Sequence, residues 1–315
     1  MQKMKPAKPD QTVLGIGIIL ASVLTMAFAD AVVKLVSADL TVWQVFVARS
    51  VFAIPCLIAI LFAMGVGFRL LSPRWALIRS GLLVLTWLFF YASLPVLSLS
   101  VAAVAVYTNP IITALLSAAV IGERVSGRQW AGVLLGFLGV IAILKPGTDA
   151  FSWFTVLPLM AAACYSLAMV LTRGKCQHEQ PLVLGLVLHC SFLITGLIAV
   201  GVLAVIGLDV ETTSAFPFLF NGWTAMGARE WGLMALLGVL SAAYFVGVAR
   251  AYQIAPPSII GTFDYAYLVS AAVWGFIFFA ETPDILTICG MILITAAGLL
   301  VAVRPANRVV TGQRS

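Results

Sequence analysis

Ten apolar stretches follow one another along this chain, at residues 13–36, 42–64, 75–95, 97–121, 130–144, 153–172, 182–206, 231–252, 258–280 and 285–303. A helix rises about 1.5 Å per residue and a bilayer's hydrocarbon core is about 30 Å thick, so roughly 20 apolar residues make one crossing. Of 315 residues, 62% are hydrophobic and 10% charged. A water-soluble domain is about a quarter charged, so this chain has too little polar surface to cover one. The pattern predicts an all-α integral membrane protein of ten transmembrane helices. Almost no length is left for a soluble catalytic or nucleic-acid-binding domain.

Trp43, Trp75, Trp130, Trp153 and Trp231 stand at the ends of runs, where an amphipathic ring prefers the headgroup zone. Lys3, Lys5 and Lys8 before an apolar run and Ala27-Phe28-Ala29 imitate a signal peptide with its cleavage site. The apolar character continues to Val36, which favours a first membrane span. Residues 1–12 and 304–315 are then tails. Cys56, Cys164, Cys176, Cys190 and Cys289 form no CxxC pattern and mostly lie inside apolar runs, so they read as small hydrophobes; no metal or cofactor is expected.

Basic residues orient the spans. Fourteen Lys and Arg fall on the side of the N-terminus, Lys145 and Arg229 on the other, and Lys34 and Arg49 within spans. The rule that cytoplasmic loops carry the excess of Lys and Arg puts both termini in the cytoplasm of a cell whose inner or plasma membrane holds the chain. The formal charge of +6 is accordingly a topology signal and predicts no nucleic-acid partner.

The halves resemble each other at a constant offset. Laying Glu123 on Glu281 puts Gly132 on Gly290 and Tyr107-Thr108-Asn109-Pro110 on Tyr265-Ala266-Tyr267-Leu268. With a small change of register, Ala29 to Lys34 lies against Ala168 to Arg173. Five helices per repeat is an odd number, so the copies, 13–145 and 153–303, enter the membrane in opposite senses. Inverted repeats of this kind build carriers that alternate access around a midplane site.

An ionised group at the centre of a span costs about 2.5–3.5 kcal/mol and demands a partner or a function. Asp30, Lys34, Arg49 and Asp264 are the four clear cases. Asp30 and Lys34 are spaced i, i+4 in the order that favours an ion pair. By helical rise Asp30 and Arg49 reach about the same depth, so the three either bridge the first two helices or form a site for a solute or proton. Asp264 shares a helix face with Tyr267 and Gly261. His189 is the weaker candidate, since a lone buried histidine is commonly a satisfied polar residue. Trp87, Tyr91, Tyr107, Tyr165, Tyr244, Tyr265 and Tyr267 carry polar tips on apolar bodies, and several converging would line a half-polar pocket. Asn109-Pro110 predicts a kink, because proline lacks the helical N–H. Gly132, Gly136, Gly139, Gly290 and Gly298 have the spacing of helix–helix contacts, and Glu123 and Glu281 are placed to cap neighbouring helix N-termini. The outer loop from residue 207 to 230, aromatic and little charged, reads as no more than an interfacial segment.

The two inverted halves, each closing with a Pro- or aromatic-marked helix and a small-residue run ending in Glu, as in Asn109-Pro110 through Gly122-Glu123 and again at Ala280-Glu281, resemble the EamA-type drug/metabolite transporter superfamily. Asp30-x-x-x-Lys34 followed by Arg49 is similar to the opening of many of its members. The resemblance implies a central cavity built from the first four helices of each half, with Arg49, Tyr91, Tyr107, Asn109, Tyr244 and Asp264 near it. Leu268 departs from the pattern where the first half has Pro110.

These readings point to a secondary carrier of a small polar metabolite, amino-acid-like, carboxylate or zwitterion, working with protons or a counter-solute. No nucleotide-binding loop is present to couple ATP. The alternative is a multidrug or amine exporter, which would depend on Asp30 and Asp264 rather than Arg49. No G-x-S-x-G surrounds any serine and the two acids are at different depths, so no enzyme is expected. The expected substrate-binding set is Arg49, Asp30, Lys34, Trp87, Tyr91, Tyr107, Asn109, Tyr244, Asp264 and Tyr267.

Overall fold

A computed structural model of the chain describes residues 11–36, 40–93, 105–144, 156–208, 210–279 and 285–302. Lys145, Trp153, Glu281 and most of both tails lie outside the described residues, as does the side chain of Lys34.

The described residues are helical almost throughout. The helices are α1 (Thr12–Val36), α2 (Val42–Ala63), α3 (Pro73–Ser93), α4 (Asn109–Ile121), α5 (Gly127–Leu144), α6 (Val156–Gly174) and α7 (Pro181–Ile206). There follow α8 (Val210–Ala215), α9 (Pro217–Phe220), α10 (Ala228–Ile254), α11 (Pro257–Asp264), α12 (Ala266–Phe279) and α13 (Ile285–Ala302). Starts and stops follow local chemistry. Thr41 caps α2 in a capping box with Gln44, proline stands in the first turn of α4, α7, α9 and α11, and Gly122 and Gly207 end α4 and α7 in the left-handed conformation at φ 68° and 58°.

Seven helical stretches among the described residues are long and apolar enough to cross a membrane: Thr12–Val33, Val42–Ala63, Pro73–Ser93, Val156–Gly174, Pro181–Ile206, Ala228–Ile254 and Pro257–Phe278. The shorter α4, α5 and α13 occupy the other three apolar runs. Polarity is arranged inside out relative to a soluble protein. Arg49, Ser50, Arg79, Ser80, His189 and Asp264 are buried, while Leu24, Phe62, Ile198, Val205, Phe276 and Leu299 are exposed on helix surfaces. Only a hydrocarbon solvent makes that arrangement favourable over so many helices. The chain is a multi-pass membrane protein.

Helices of each half pack chiefly on helices of the other. α1 lies against α10 and α12, α6 against α3 and α4, α2 against α7 and α10, α3 against α7, α4 against α11, and α5 against α13. The main apolar core is contributed by α1, α2, α3, α6, α7, α10 and α11. The α5–α13 pair stands to one side, drawn close by small residues. A Cβ on Gly139 would sit 2.8 Å from the Gly290 carbonyl oxygen.

Two of the spans are interrupted. Before α4, a helical turn at residues 105–106 gives way to a turn at Tyr107 and Thr108, where Pro110 cannot supply a backbone donor. Between α11 and α12 the break falls at Tyr265, the position that overlies Tyr107 in the sequence offset. No proline is needed there. The Tyr265 ring is docked onto α5 where Gly136 leaves room for it, and Leu268 N–H closes a tight bond to the Tyr265 carbonyl at 3.0 Å. The missing proline at Leu268 is thus replaced by a ring held from outside the helix.

Candidate functional site

The face of the bundle that bears the starts of α1 and α3 is called near, and the face that bears the start of α2 is called far. Arg49 lies about two turns into α2 from the far face, and its place is set before its side chain is considered. The Thr41 cap and a pair of bonds between Gln44 and Thr224, both at 2.8 Å, pin the first turn of α2. A Cβ on Gly238 of α10 would lie 2.7 Å from the Arg49 carbonyl, and one on Gly196 of α7 2.7 Å from Val47. Two neighbouring backbones therefore close on α2 at this level. The Arg49 guanidinium is clasped by rings, its carbon 4.3 Å from the Phe192 centroid and 5.1 Å from that of Phe46. Such contacts are worth about 2 kcal/mol when desolvated, and they leave hydrogen bonding unmet. The residue is 2% exposed, and its Nε and Nη2 have no hydrogen-bond partner.

Around it stand most of the residues singled out in the sequence. Asp30 of α1, partly exposed, accepts from the Tyr267 hydroxyl of α12 at 2.8 Å. Asp30, Tyr91 and Tyr244 lie within Coulombic range of Arg49. Trp87 and Tyr91 pack ring on ring at 5.3 Å on one face of α3, and the indole N–H of one and hydroxyl of the other are buried without partners. Tyr244 packs on Phe245 at 4.4 Å. Tyr107 stacks on Tyr267 at 5.2 Å, so the two interrupted spans meet beside this cluster. Asn109 offers an unpaired buried side-chain oxygen.

Asp264 is held apart, two turns up α11 from the near face. Its Oδ2 accepts from Tyr252 at 2.6 Å and, more weakly, from Tyr165 at 3.4 Å, while its Oδ1 is buried without a partner. Beyond Tyr165 lies Arg79 of α3, 1% exposed, whose Nε donates to Thr172 Oγ1 at 2.7 Å. Both terminal nitrogens of Arg79 are buried without partners. Sequence reasoning counted Arg79 among the cations of a near-face loop and gave no weight to Tyr252. The available signal was its distance from Pro73: six residues into a helix, about 9 Å, is beyond the loop.

Other expectations resolve individually. His189 is a satisfied core residue, its ring nitrogens 2.9 Å from the Gly185 carbonyl and 3.0 Å from Ser241 Oγ. Glu123 meets the Ser258 hydroxyl and backbone at the start of α11, and burial pushes its carboxyl above the usual range against those bonds. Glu179, which the sequence did not mark, receives the backbone N–H groups of Leu71 and Ser72 ahead of α3. Cys176 in the same near-face turn is buried, which raises its thiol to about 11. No group of three or more potential metal ligands occurs among the described residues.

The outer loop is more than an interfacial segment. Its α9 folds back over the far end, with the Trp43 indole donating to the Leu219 carbonyl at 2.7 Å and Phe218 meeting Tyr91 edge-on at 6.0 Å.

Comparison with known proteins follows the same lines. Residues 13–145 match the model of the EamA-like transporter family. Over 89% of its length the chain is 26% identical to the pseudopaline exporter of Pseudomonas aeruginosa, covering 94% of that protein. It is 22% identical to the S-adenosylmethionine uptake transporter of Rickettsia prowazekii over 91% of this chain and 92% of that one. A riboflavin transporter of Brucella anthropi is 26% identical over 74% of this chain and 75% of its own. A crystal structure aligns with 92% of this chain and 97% of its own at a TM-score of 0.71 and 20% identity, which is a likeness of fold.

Proposed function

We propose that the chain, whose residues 13–145 match the EamA-like transporter family, is a secondary carrier of that type for a small organic metabolite bearing a carboxylate, as a zwitterion or an acid. The observation that carries this reading is Arg49: a guanidinium 2% exposed, with two nitrogens lacking partners and aromatic rings on its faces. A buried cation left in that state is costly, and a bidentate carboxylate is the ligand whose geometry answers it. Trp87, Tyr91, Tyr107, Asn109, Tyr244 and Tyr267 supply apolar surface and polar tips around it. Asp30 and Asp264 supply acids for an ammonium group or a coupling proton, with exchange against a counter-solute as the other drive. Lys34, whose backbone follows Asp30 by one turn, completes the proposed set.

Alternating access is supported by the packing. If the first five spans overlay the second five, α1 on α10 corresponds to α6 on α3, α1 on α12 to α6 on α4, and α2 on α10 to α7 on α3; each pair is present. The α2–α7 and α5–α13 contacts correspond to themselves. The two interruptions at Tyr107 and Tyr265 fall on each other as well. Ten spans in two inverted halves, 13–145 and 153–303, account for all of this. The excess of Lys and Arg on the near side supports cytoplasmic termini in an inner or plasma membrane. The relatives' names include both export and uptake, so direction must come from experiment.

That experiment is untargeted mass spectrometry of metabolites inside and outside cells expressing wild type or Arg49→Ala at matched membrane levels. We expect a class of carboxylate-bearing solutes redistributed by the wild type and at least about 30-fold less by the variant, the ratio from leaving a buried charge pair without one partner. Redistribution of aromatic cations alone, equal in the two proteins, would reject the reading and favour the amine exporter.

A further inference from the structure

The reading above places one station for a carboxylate at Arg49. We propose that the chain holds a second station at the near end of the route, formed by Arg79, Asp264 and Tyr165, and that it takes the α-amino acid headgroup of a zwitterionic cargo. The proposal rests on the carrier reading and makes it more specific.

Arg79 does not behave as a near-face topology cation. Those stay in water or at headgroups, whereas Arg79 is 1% exposed among α3 and α6. It is not satisfied as a structural tie either. Thr172 takes Nε at 2.7 Å and passes its own proton to the Ala168 carbonyl at 2.7 Å, which fixes the fork's direction and leaves both terminal nitrogens unused. A fork anchored through Nε with Nη1 and Nη2 open is the arrangement that receives a carboxylate.

The acid of the pair is equally incomplete. Tyr252 and Tyr165 both donate to one oxygen of Asp264 and leave Oδ1 buried and unpartnered. Tyr165 touches Asp264 and lies within Coulombic range of Arg79, so one side chain stands between the two orphaned groups. Arg79 and Asp264 are each about two turns from the near-face start of their helices, a common depth. An open guanidinium fork and an open carboxylate oxygen at a common depth on either side of Tyr165 are complementary to the carboxylate and the ammonium of one zwitterionic headgroup. A simple acid would leave Asp264 unanswered and a simple amine would leave Arg79 so.

The two stations differ in depth, and this gives the test its handle. In an alternating carrier, a station reached from one face weakens binding from that face when it is damaged. The probe is a uniformly 13C-labelled algal amino-acid hydrolysate, presented to membrane vesicles of both orientations, with uptake read by mass spectrometry. Wild type is expected to take up at least one labelled amino acid from either face. Arg79→Lys, which keeps the charge and loses the fork, is expected to raise half-saturation about tenfold from the near face, equivalent to about 1.4 kcal/mol, and to change it less than about twofold from the far face. Arg49→Lys is expected to do the reverse. Asp264→Asn is the second near-face variant, so a poorly folded Arg79→Lys protein leaves the test intact. If near-face variants with wild-type thermal midpoints change both faces alike, or neither, the second station is overturned and Arg49 stands alone. If wild type moves no labelled amino acid, the amino-acid headgroup is overturned while a carboxylate cargo at Arg49 is still judged by the metabolite experiment.

Discussion

The far cluster around Arg49 and the near cluster around Arg79 are made of the same parts and finished differently. Each has one arginine with open nitrogens, one aspartate and at least one tyrosine donating to that aspartate. Asp30 is partly exposed and bonded to Tyr267, from the far side of the break at Tyr265, while Asp264 is 2% exposed and bonded to Tyr252 and Tyr165 from two helices that do not break. Arg49 is clasped by rings with its Nε and Nη2 left open, whereas Arg79 is anchored through Nε with both terminal nitrogens open. Chemistry that repeats at two depths while exposure differs is what a route with one end more closed would leave. The break at Tyr265 lies between Asp264 and Tyr267, the tyrosine that holds Asp30, so motion there would separate Asp264 from Tyr267 first.

The hardest test of that comparison is steric. Arg49 depends on the close approach of α10 at Gly238, where a Cβ would press on the Arg49 carbonyl and on Phe52 at 2.7 Å. Gly238→Val would force α2 and α10 apart, at a cost of about 1–3 kcal/mol for overpacking. A lowered thermal midpoint with transport near background is expected, measured on detergent-purified protein and vesicles. Normal transport with the wild-type midpoint would mean that Arg49 is not positioned by that contact.

The tyrosines sharpen the comparison with a smaller effect. Tyr252→Phe removes a 2.6 Å bond to a fully enclosed carboxylate and leaves only the 3.4 Å contact of Tyr165. Leaving a buried acceptor without its hydrogen bond costs about 1–3 kcal/mol when nothing replaces it. Tyr267→Phe removes a 2.8 Å bond to Asp30, where exposure lets water substitute, so under about 1 kcal/mol is expected. Paired chemical denaturation of the two variants checks the order; equal losses would show that the two acids are equally enclosed.

What the sequence disclosed and what it concealed follow the same physics. A charge inside an apolar run cannot hide, so Asp30, Arg49 and Asp264 were found from hydropathy alone. Arg79 follows Arg69 and Arg74 at the edge of a run, where a cation is ordinary, and only the helix start at Pro73 reveals its depth. The break before α4 is written in Pro110, but that at Tyr265 depends on Gly136 of another helix, a contact that no local pattern encodes. The outer loop was opaque for the same reason: Trp43 and Leu219, or Gln44 and Thr224, are about 180 residues apart in sequence. Glu123 was legible as a cap because a carboxylate ending a span must meet something, and it meets Ser258 in the first turn of α11.

Glu123 also offers the gentlest test, since it joins the far end of neither cluster and ties α4 to the foot of α11, the helix that carries Asp264. Burial raises its carboxyl above the unfolded value near 4.5, against the pull of the Ser258 bonds. A carboxyl raised on folding binds its proton more tightly in the native state. Its stabilising contribution is therefore complete below about 4.5 and is lost as pH rises through the native value. Glu123→Gln keeps a neutral partner for Ser258 at every pH and should flatten that part of the stability profile, with a difference smaller than either tyrosine variant gives. Thermal midpoints of both proteins across pH 4 to 8 check the slope, and parallel profiles would show that folding leaves the Glu123 carboxyl unshifted. If the slope flattens while the near-face half-saturation is unchanged, the foot of α11 supports Asp264 without taking part in its binding.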